Sequence, residues 1–374
     1  MVKNFISQRI KKLQSSLLEN QSILLSKNSD IFYFSSFADN VPEERIAFCL
    51  ISKKSAHLIL QAFSSEPAKF IGKILIGCSP IKLAEHLNNL KNELNVNEIF
   101  LDLENLNVEE FRAISKISDL KIEALDKKKI WQLRTQKDSS EIKKIKIAIR
   151  ITKQAVLETI KELKVGLTEL EVKKILENKI RQHNFCELAF PTIIAFDKNS
   201  ISPHHQPSQK KLKNGTVVLI DAGAKYQEYC ADMTRTIFFK EKDAPKKIQQ
   251  KEIEFKRVLK VVKKAYQQAE KLLSYPDLKI ADLDLACRKY IEEKGYAKNF
   301  IHTTGHGLGI DIHEPPSIYK TNIDKLTPGM AFTIEPGIYL EGKFGVRWEN
   351  TVFTENLSPS GTSRVLRKSK QSIK

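Results

Sequence analysis

Four carboxylates and a cluster of histidines are the residues of this 374-residue chain whose types and spacing could do chemistry. Asp221 ends the apolar run Thr216-Val217-Val218-Leu219-Ile220, and Asp232 follows Tyr229-Cys230-Ala231 on a returning strand. A turn centred on Tyr226 and Gln227 places Asp221 directly opposite Asp232. In the same way Ala331-Phe332-Thr333-Ile334 leads to Glu335, a turn about Gly342 reverses the chain, and Val346-Arg347-Trp348 leads to Glu349. Glu335 then faces Glu349. Like charges facing each other across a strand pair repel, and beside apolar neighbours an uncompensated charge is costly. A cation between the members of each pair removes both problems, and four carboxylates suggest more than one cation.

His302, His306 and His313 fall within twelve residues, interleaved with Gly305, Gly307 and Gly309, and His204-His205 follows Pro203 ahead of the first hairpin. Imidazole supplies metal ligands and general acids or bases near neutral pH. Four carboxylates with one imidazole make a hard, oxygen-rich set. Mn²⁺, Fe²⁺, Co²⁺ and Zn²⁺ all suit it, and ligand hardness favours Mn²⁺. Two such ions a few Å apart can share a water, lower its pKa and present it to a carbonyl. The glycines about His306 permit close backbone approach. Thr234 and Thr333, each two residues from an acid on the same strand face, are candidates to hold those acids. Singly, each residue has a duller use: Asp221 could end a strand, Asp232 could pair with Arg235, Glu349 could pair with Arg347, and His306 could sit in a turn. Jointly they point to a metal site.

Positioning these groups requires a scaffold. Helical periodicity runs through Ile142, Ile145, Ile149, Val156, Ile160 and Leu163 and stops at Gly166; Thr168-Glu169-Leu170-Glu171 is a capping box that opens a second helix. The first acidic hairpin follows. Helices over about 251–273 and 280–294 then precede the second hairpin. Helix, helix, carboxylate hairpin thus occurs twice, which implies two related halves sharing one site at their junction. The first ~125 residues alternate short apolar segments with helices and read as α/β. Segments 22–26, 31–34, 46–51, 57–60, 74–76 and 99–101 are strand candidates, and Ser79-Pro80 opens a helix. Ile6, Ile10, Leu13 and Leu17 line one face of a first helix. The expected class is α/β, with a smaller N-terminal α/β domain over 1–130 and an α+β domain over 136–366. A polar, basic stretch at 126–140 is the expected linker, and 367–374 a basic tail.

Composition bounds the rest. No apolar run approaches a membrane span, and the N-terminus lacks the apolar core of a secretion signal. Five scattered cysteines without a C-x-x-C pattern argue against a disulfide framework and for a reducing, cytoplasmic setting. The net charge of +17 comes mostly from dispersed lysines, as on a solvated helix face, and no nucleic-acid signature accompanies it. Membrane and nucleic-acid partners are therefore not expected.

The region from about Ile142 to Phe353 resembles the pita-bread (M24-type) metallopeptidases: Xaa-Pro aminopeptidase, prolidase and, more distantly, methionine aminopeptidase. The matching segments, in order, are Pro203-His204-His205, Leu219-Ile220-Asp221-Ala222-Gly223, Ala231-Asp232-Met233-Thr234-Arg235-Thr236, Thr304-Gly305-His306-Gly307-Leu308-Gly309, Ile312-His313-Glu314, Thr333-Ile334-Glu335-Pro336-Gly337 and Val346-Arg347-Trp348-Glu349-Asn350. The first ~125 residues look like the smaller domain that the proline-directed members carry. The resemblance implies five metal ligands for two divalent ions: Asp221 on one, Asp232 and Glu349 bridging, His306 and Glu335 completing the second. It further implies a metal-bridging water as nucleophile, Glu335 as proton carrier, His204 and His313 at the scissile amide, and His302 and Arg347 near the substrate. The implied reaction is removal of an N-terminal residue that precedes proline, the implied assembly a homodimer. A strict Xaa-Pro dipeptidase and a non-catalytic binding protein on the same fold are the alternatives. Departures from the family pattern are Glu228 at a turn glycine, Ala231 at a small hydroxyl residue, Asp197-Lys198-Asn199 without the glycine expected before the asparagine, and the bulky Trp348.

Overall fold

The structure is a computed structural model and describes residues 5–38, 44–241, 245–275 and 277–354. The expected tail at 367–374 lies outside the described residues. The chain divides into two compact units, Met1–Arg134 and Thr135–Lys374.

The first unit contains α1 (Phe5–Ser15), β1 (Gln21–Leu25), α2 (Asn28–Ser35), β2 (Ala47–Ser52), β3 (Ala56–Leu60), β4 (Lys73–Ile76), α3 (Pro80–Leu94), β5 (Glu98–Leu101), α4 (Val108–Ile114), β6 (Lys121–Ala124) and most of α5 (Lys128–Thr135). Its six strands form one mixed sheet in the order β4-β3-β2-β1-β5-β6. The central strands β1, β2 and β3 are nearly continuous apolar runs and are buried along their length, as strands covered on both faces are. Ser79 accepts from the Lys82 amide and Pro80 takes the first helical position, so α3 starts where the sequence signals it.

One expectation fails here. Residues 31–34 lie within α2, not a strand. A four-residue apolar run carries no period that separates helix from strand. The helix buries Ile31, Tyr33 and Phe34 and closes at Ser36, which turns left-handed at φ 61° with its amide on the Phe32 carbonyl. The stretch 126–140, expected as the linker, contains the boundary between the two units and is itself helical: it holds α5, and Asp138 caps the helix that follows through a capping box with Glu141.

The second unit contains α6 (Ser139–Glu162), α7 (Glu169–Arg181), β7 (Cys186–Leu188), β8 (Ile193–Phe196), β9 (Thr216–Ala222), β10 (Ala224–Tyr226), β11 (Tyr229–Cys230), β12 (Met233–Phe239), α8 (Lys246–Leu272), α9 (Ile280–Glu293), β13 (Gly305–Gly307), β14 (Glu314–Ile318), β15 (Ala331–Ile334), β16 (Gly337–Leu340), β17 (Phe344–Arg347) and β18 (Asn350–Phe353). The expected repetition of two helices and a hairpin is present. α6 and α7 bury Ala148, Val156, Val172 and Leu176 against Val218 and Ile220 of β9. α8 and α9 bury Val258, Val262, Leu283 and Cys287 against Phe332, Ile334 and Val346. Val217 of β9 belongs to this second core, so the alternating faces of one strand serve both halves. Asp221 shares the parity of Val217.

The first hairpin corrects the expected register. Asp221 pairs with Thr234, not Asp232, and Tyr226 pairs with Tyr229. The turn is centred on Gln227 and Glu228, both left-handed at φ 46° and 69°, the two-residue geometry that matches strand twist. Glu228 fills the position expected for glycine and pairs with Lys225 at 2.6 Å. The register slides by two residues, so parity is kept and Asp232 remains on the face of Asp221, offset along the strand. The second hairpin holds the expected register. Gly337 pairs with Arg347 on one side and Ile334 with Asn350 on the other, which sets Glu335 against Glu349 where the two ladders meet. Among the described residues no helix is long and apolar enough to cross a membrane.

Candidate metal centre

Single atoms of Asp232, His306 and Glu349 all lie within 4.8 Å of one another. Asp232 immediately precedes β12, Glu349 lies in the break between β17 and β18, and His306 is in β13. A register shift between His306 and Gly307 bends β13 where the imidazole must be aimed. Gly305 and Gly307 allow the approach: a Cβ on Gly305 would sit 2.0 Å from the Thr333 carbonyl oxygen, and one on Gly307 2.2 Å from that of Pro315. Glu335 joins through His306, its Oε1 being 3.4 Å from Nε2, while Asp232 Oδ2 is 3.6 Å from the same nitrogen. Asp221 Oδ2 accepts from Arg347 Nη2 at 2.6 Å.

The hydrogen bonds leave an unresolved set of acceptors. Nδ1–H of His306 donates to the Gly307 carbonyl at 3.1 Å, so neutral His306 aims its Nε2 lone pair at the two carboxylate oxygens. Oδ1 of Asp221, Oδ1 of Asp232 and Oε1 of Glu349 are buried without a partner. Two other oxygens are held by threonines: Thr234 Oγ1 donates to Glu349 Oε2 at 2.6 Å, and Thr333 Oγ1 to Glu335 Oε1 at 3.1 Å. Burial first, and the neighbouring acids second, push the carboxyl of Asp232 well above its usual range; burial and then Glu335 and Asp221 do the same to Glu349. Burial raises Glu335 to about 7 against the pull of Arg347. Three orphaned carboxylate oxygens, two of them on the acids clustered with His306, are acceptors without donors, and divalent cations fit them.

A second layer of residues orients this set. Arg347 is 3 % exposed and donates to Asp221, to Thr234 Oγ1 at 3.0 Å and to the Tyr339 hydroxyl at 2.9 Å. His302 Nδ1–H donates to the Thr303 carbonyl at 2.7 Å, so its Nε2 accepts from the Tyr339 hydroxyl at 2.9 Å. Burial, with help from the Arg347 charge, lowers His302 to about 3 and keeps it neutral. His313 stacks edge-on to His306 at 4.4 Å between ring centroids and is exposed. His204 is exposed too, and its charge contributes to lowering both His302 and His313. Cys230 is a packed thiol on the Ile310 carbonyl at 3.4 Å. Trp348 lies between Arg235 and Lys263, 4.1 and 3.9 Å from its ring, and Arg235 donates to the Glu349 carbonyl at 2.6 Å.

Several residues of this layer were not legible as such. Tyr339 joins His302 to Arg347. Buried Asp284 accepts from Thr304 Oγ1 at 2.7 Å and from Arg288, which donates to the His302 carbonyl at 2.6 Å. Lys137 and Glu314, each 1 % exposed at the side chain, pair at 2.9 Å; Glu314 Oε1 accepts from the Asp311 amide at 3.1 Å and so fixes the loop between His306 and His313.

A family profile described as metallopeptidase family M24 matches residues 143–356. A Staphylococcus aureus protein described as an uncharacterized peptidase is 32 % identical over 337 residues, 87 % of this chain and 90 % of that protein. Among solved structures, an X-Pro aminopeptidase from Thermotoga maritima is 33 % identical with a TM-score of 0.80, covering 92 % of this chain and 95 % of its own. An Xaa-Pro dipeptidase from Bacillus anthracis is 29 % identical with a TM-score of 0.82, covering 94 % and 95 %. A prolidase from Pyrococcus horikoshii is 28 % identical with a TM-score of 0.81, covering 93 % and 96 %.

Proposed function

The chain belongs to metallopeptidase family M24, and from that premise we propose that it removes the N-terminal residue of peptides whose second residue is proline. That it is a metallopeptidase sets aside the non-catalytic alternative. The observation that carries the reading is the set of orphaned, buried carboxylate oxygens of Asp221, Asp232 and Glu349, the last two clustered with His306, in a chain whose structural neighbours include an X-Pro aminopeptidase. Asp221, Asp232, His306, Glu335 and Glu349 would hold two divalent ions, with Mn²⁺ favoured by the hard donor set. Bound there, the ions polarise the scissile carbonyl and make a water nucleophilic near neutral pH.

The chain's own residues do the rest. Glu335 takes the proton released by the water and delivers it to the leaving nitrogen. His204 and His313 flank the scissile amide and donate to the oxygen on which charge develops. His302, neutral and fixed by Tyr339, and Arg347 line the substrate side. The unit from residue 135 carries all of these groups. Five free, buried cysteines support a reducing, cytoplasmic setting, and a homodimer is the proposed assembly.

The dipeptidase and prolidase neighbours favour one second reading: cleavage of Xaa-Pro dipeptides alone. Comparing Xaa-Pro, Xaa-Pro-Yaa and Xaa-Ala-Yaa as substrates separates the two. The aminopeptidase reading expects the tripeptide with proline to be cleaved at least as well as the dipeptide and the alanine peptide to be poor. Cleavage confined to the dipeptide establishes the second reading, and equal cleavage of the alanine peptide removes proline selection altogether. Asp232→Ala and Glu349→Ala should each abolish turnover while the far-ultraviolet dichroism stays that of the parent.

A further inference from the structure

Glu169 has no part in the ligand set, yet it is 0 % exposed and carries an unusual number of hydrogen bonds. It stands at the start of α7, directly after the cap residue Thr168, where a carboxylate suits the helix dipole. Oε1 accepts from the Phe196 amide at 2.7 Å and from Asn199 Nδ2 at 2.9 Å. Oε2 accepts from the Ser208 amide at 2.9 Å, the Ser208 hydroxyl at 2.7 Å and His205 Nε2 at 2.9 Å. A carboxylate has about four acceptor positions, so this one is saturated. All the donors lie between residues 196 and 208, on the segment that leaves β8 and carries His204.

Other contacts tie down the same segment. Asp197 takes the left-handed conformation, at φ 48°. Its Oδ1 accepts from the Val217 amide at 2.8 Å and from Lys251 Nζ at 2.7 Å. Ser200 Oγ accepts from the Gly345 amide at 2.8 Å. Within this frame the adjacent histidines part company: His205 is bonded to Glu169 and half-buried, while His204 is exposed.

We propose that Glu169 is the positioning residue for His204: the buried carboxylate holds Phe196, Asn199, His205 and Ser208 in one arrangement that presents His204 to the substrate. The proposal rests on the reading that places His204 at the scissile amide. A glutamine of the same shape would offer one acceptor oxygen and turn its amide hydrogens on donors that already lack partners, so the clamp needs the charge and both oxygens.

The test uses the full-length, metal-loaded protein as Glu169→Gln, Glu169→Asp, His204→Ala and the double variant Glu169→Gln/His204→Ala. Readouts are kcat and KM on an Xaa-Pro-Yaa peptide, bound metal, and hydrogen exchange of residues 196–208. Glu169→Gln should lower kcat about 10- to 100-fold, the range for groups that orient site residues, with parental metal content. It should cost nothing further in the His204→Ala background, and Glu169→Asp should recover part of the loss. Amide exchange should quicken within 196–208 and not elsewhere. Multiplicative losses in the double variant, or unchanged exchange in that segment, would overturn the proposal. If the parent cleaves no Xaa-Pro peptide, the functional reading fails by itself and the exchange arm still decides whether Glu169 holds the segment. Should Glu169→Gln fail to fold, Ser208→Ala deletes one donor and should show the same pattern at smaller amplitude.

Discussion

Thr234 serves two groups of opposite charge with one hydroxyl. It donates to Glu349 Oε2 and accepts from Arg347 Nε, which fixes the oxygen of Glu349 left for a cation. Thr234→Val should leave Glu349 Oε2 and the Arg347 Nε–H unpaired in a buried site, at about 1–3 kcal/mol for each orphaned group, and weaken metal binding about 10- to 100-fold; Thr234→Ser should restore both. Urea unfolding and metal titration measure the two effects. Arg347 offers a companion case, since it neutralises one oxygen of Asp221 at 2.6 Å. Arg347→Met should destabilise metal-free protein by about 3–5 kcal/mol, the cost of breaking a buried pair, and metal-loaded protein by less, because the proposed cation would also face Asp221. Equal losses with and without metal would contradict the placement of Asp221 beside an ion. At this scale the acids and histidines were legible from residue type and motif order. Tyr339, Asp284 and Arg288 were not, because their roles exist only once segments distant in sequence meet.

Among the elements, the hairpins show what spacing can and cannot dictate. The second turn was readable because Gly342, at φ 71°, is the one residue there suited to a left-handed turn. The first was misplaced by one position because its turn uses Gln227 and Glu228, side chains that rarely take that conformation. Parity protected the inference: a slip of two residues leaves every side chain on its face. The run at 31–34 had no such safeguard and was misread as a strand. Lys137 and Glu314 carry a prediction at this scale. Lys137→Met should cost about 3–5 kcal/mol by stranding a buried carboxylate, and adding Glu314→Gln should recover much of it; thermal unfolding of the pair of variants checks this. Glu169 supplies a pH prediction. Burial opposes its ionisation, but its donors from Ser208, His205 and Phe196 win and hold its carboxyl below 4.5. A carboxyl with a lowered folded value contributes stability above its unfolded value and loses that contribution as pH falls through the folded one. The stability gap between the parent and Glu169→Gln should therefore be full above about pH 4.5 and shrink in acid.

Across the molecule, the doubled order of two helices and a hairpin gives each half its own core, with β9 contributing one face to each. The fold class and this repetition were legible because the helices are long and strongly periodic, and caps such as Thr168 mark their starts. The N-terminal sheet was legible strand by strand except at β6, whose four residues alternate charge and apolar side chain too briefly to stand out. Within the charge of +17, several lysines answer local acids, as Lys240 and Lys256 answer Glu252. At this scale the crowded acids are compatible with one another only if divalent ions lie among them. The most direct measurement strips the protein with a chelator and titrates it with Mn²⁺ while following bound metal and Xaa-Pro-Yaa cleavage together. Cleavage absent from the stripped protein, and rising to a plateau as metal approaches two ions per chain, is the predicted result. Full cleavage by metal-free protein, or saturation of the site with no cleavage at any occupancy, would contradict it.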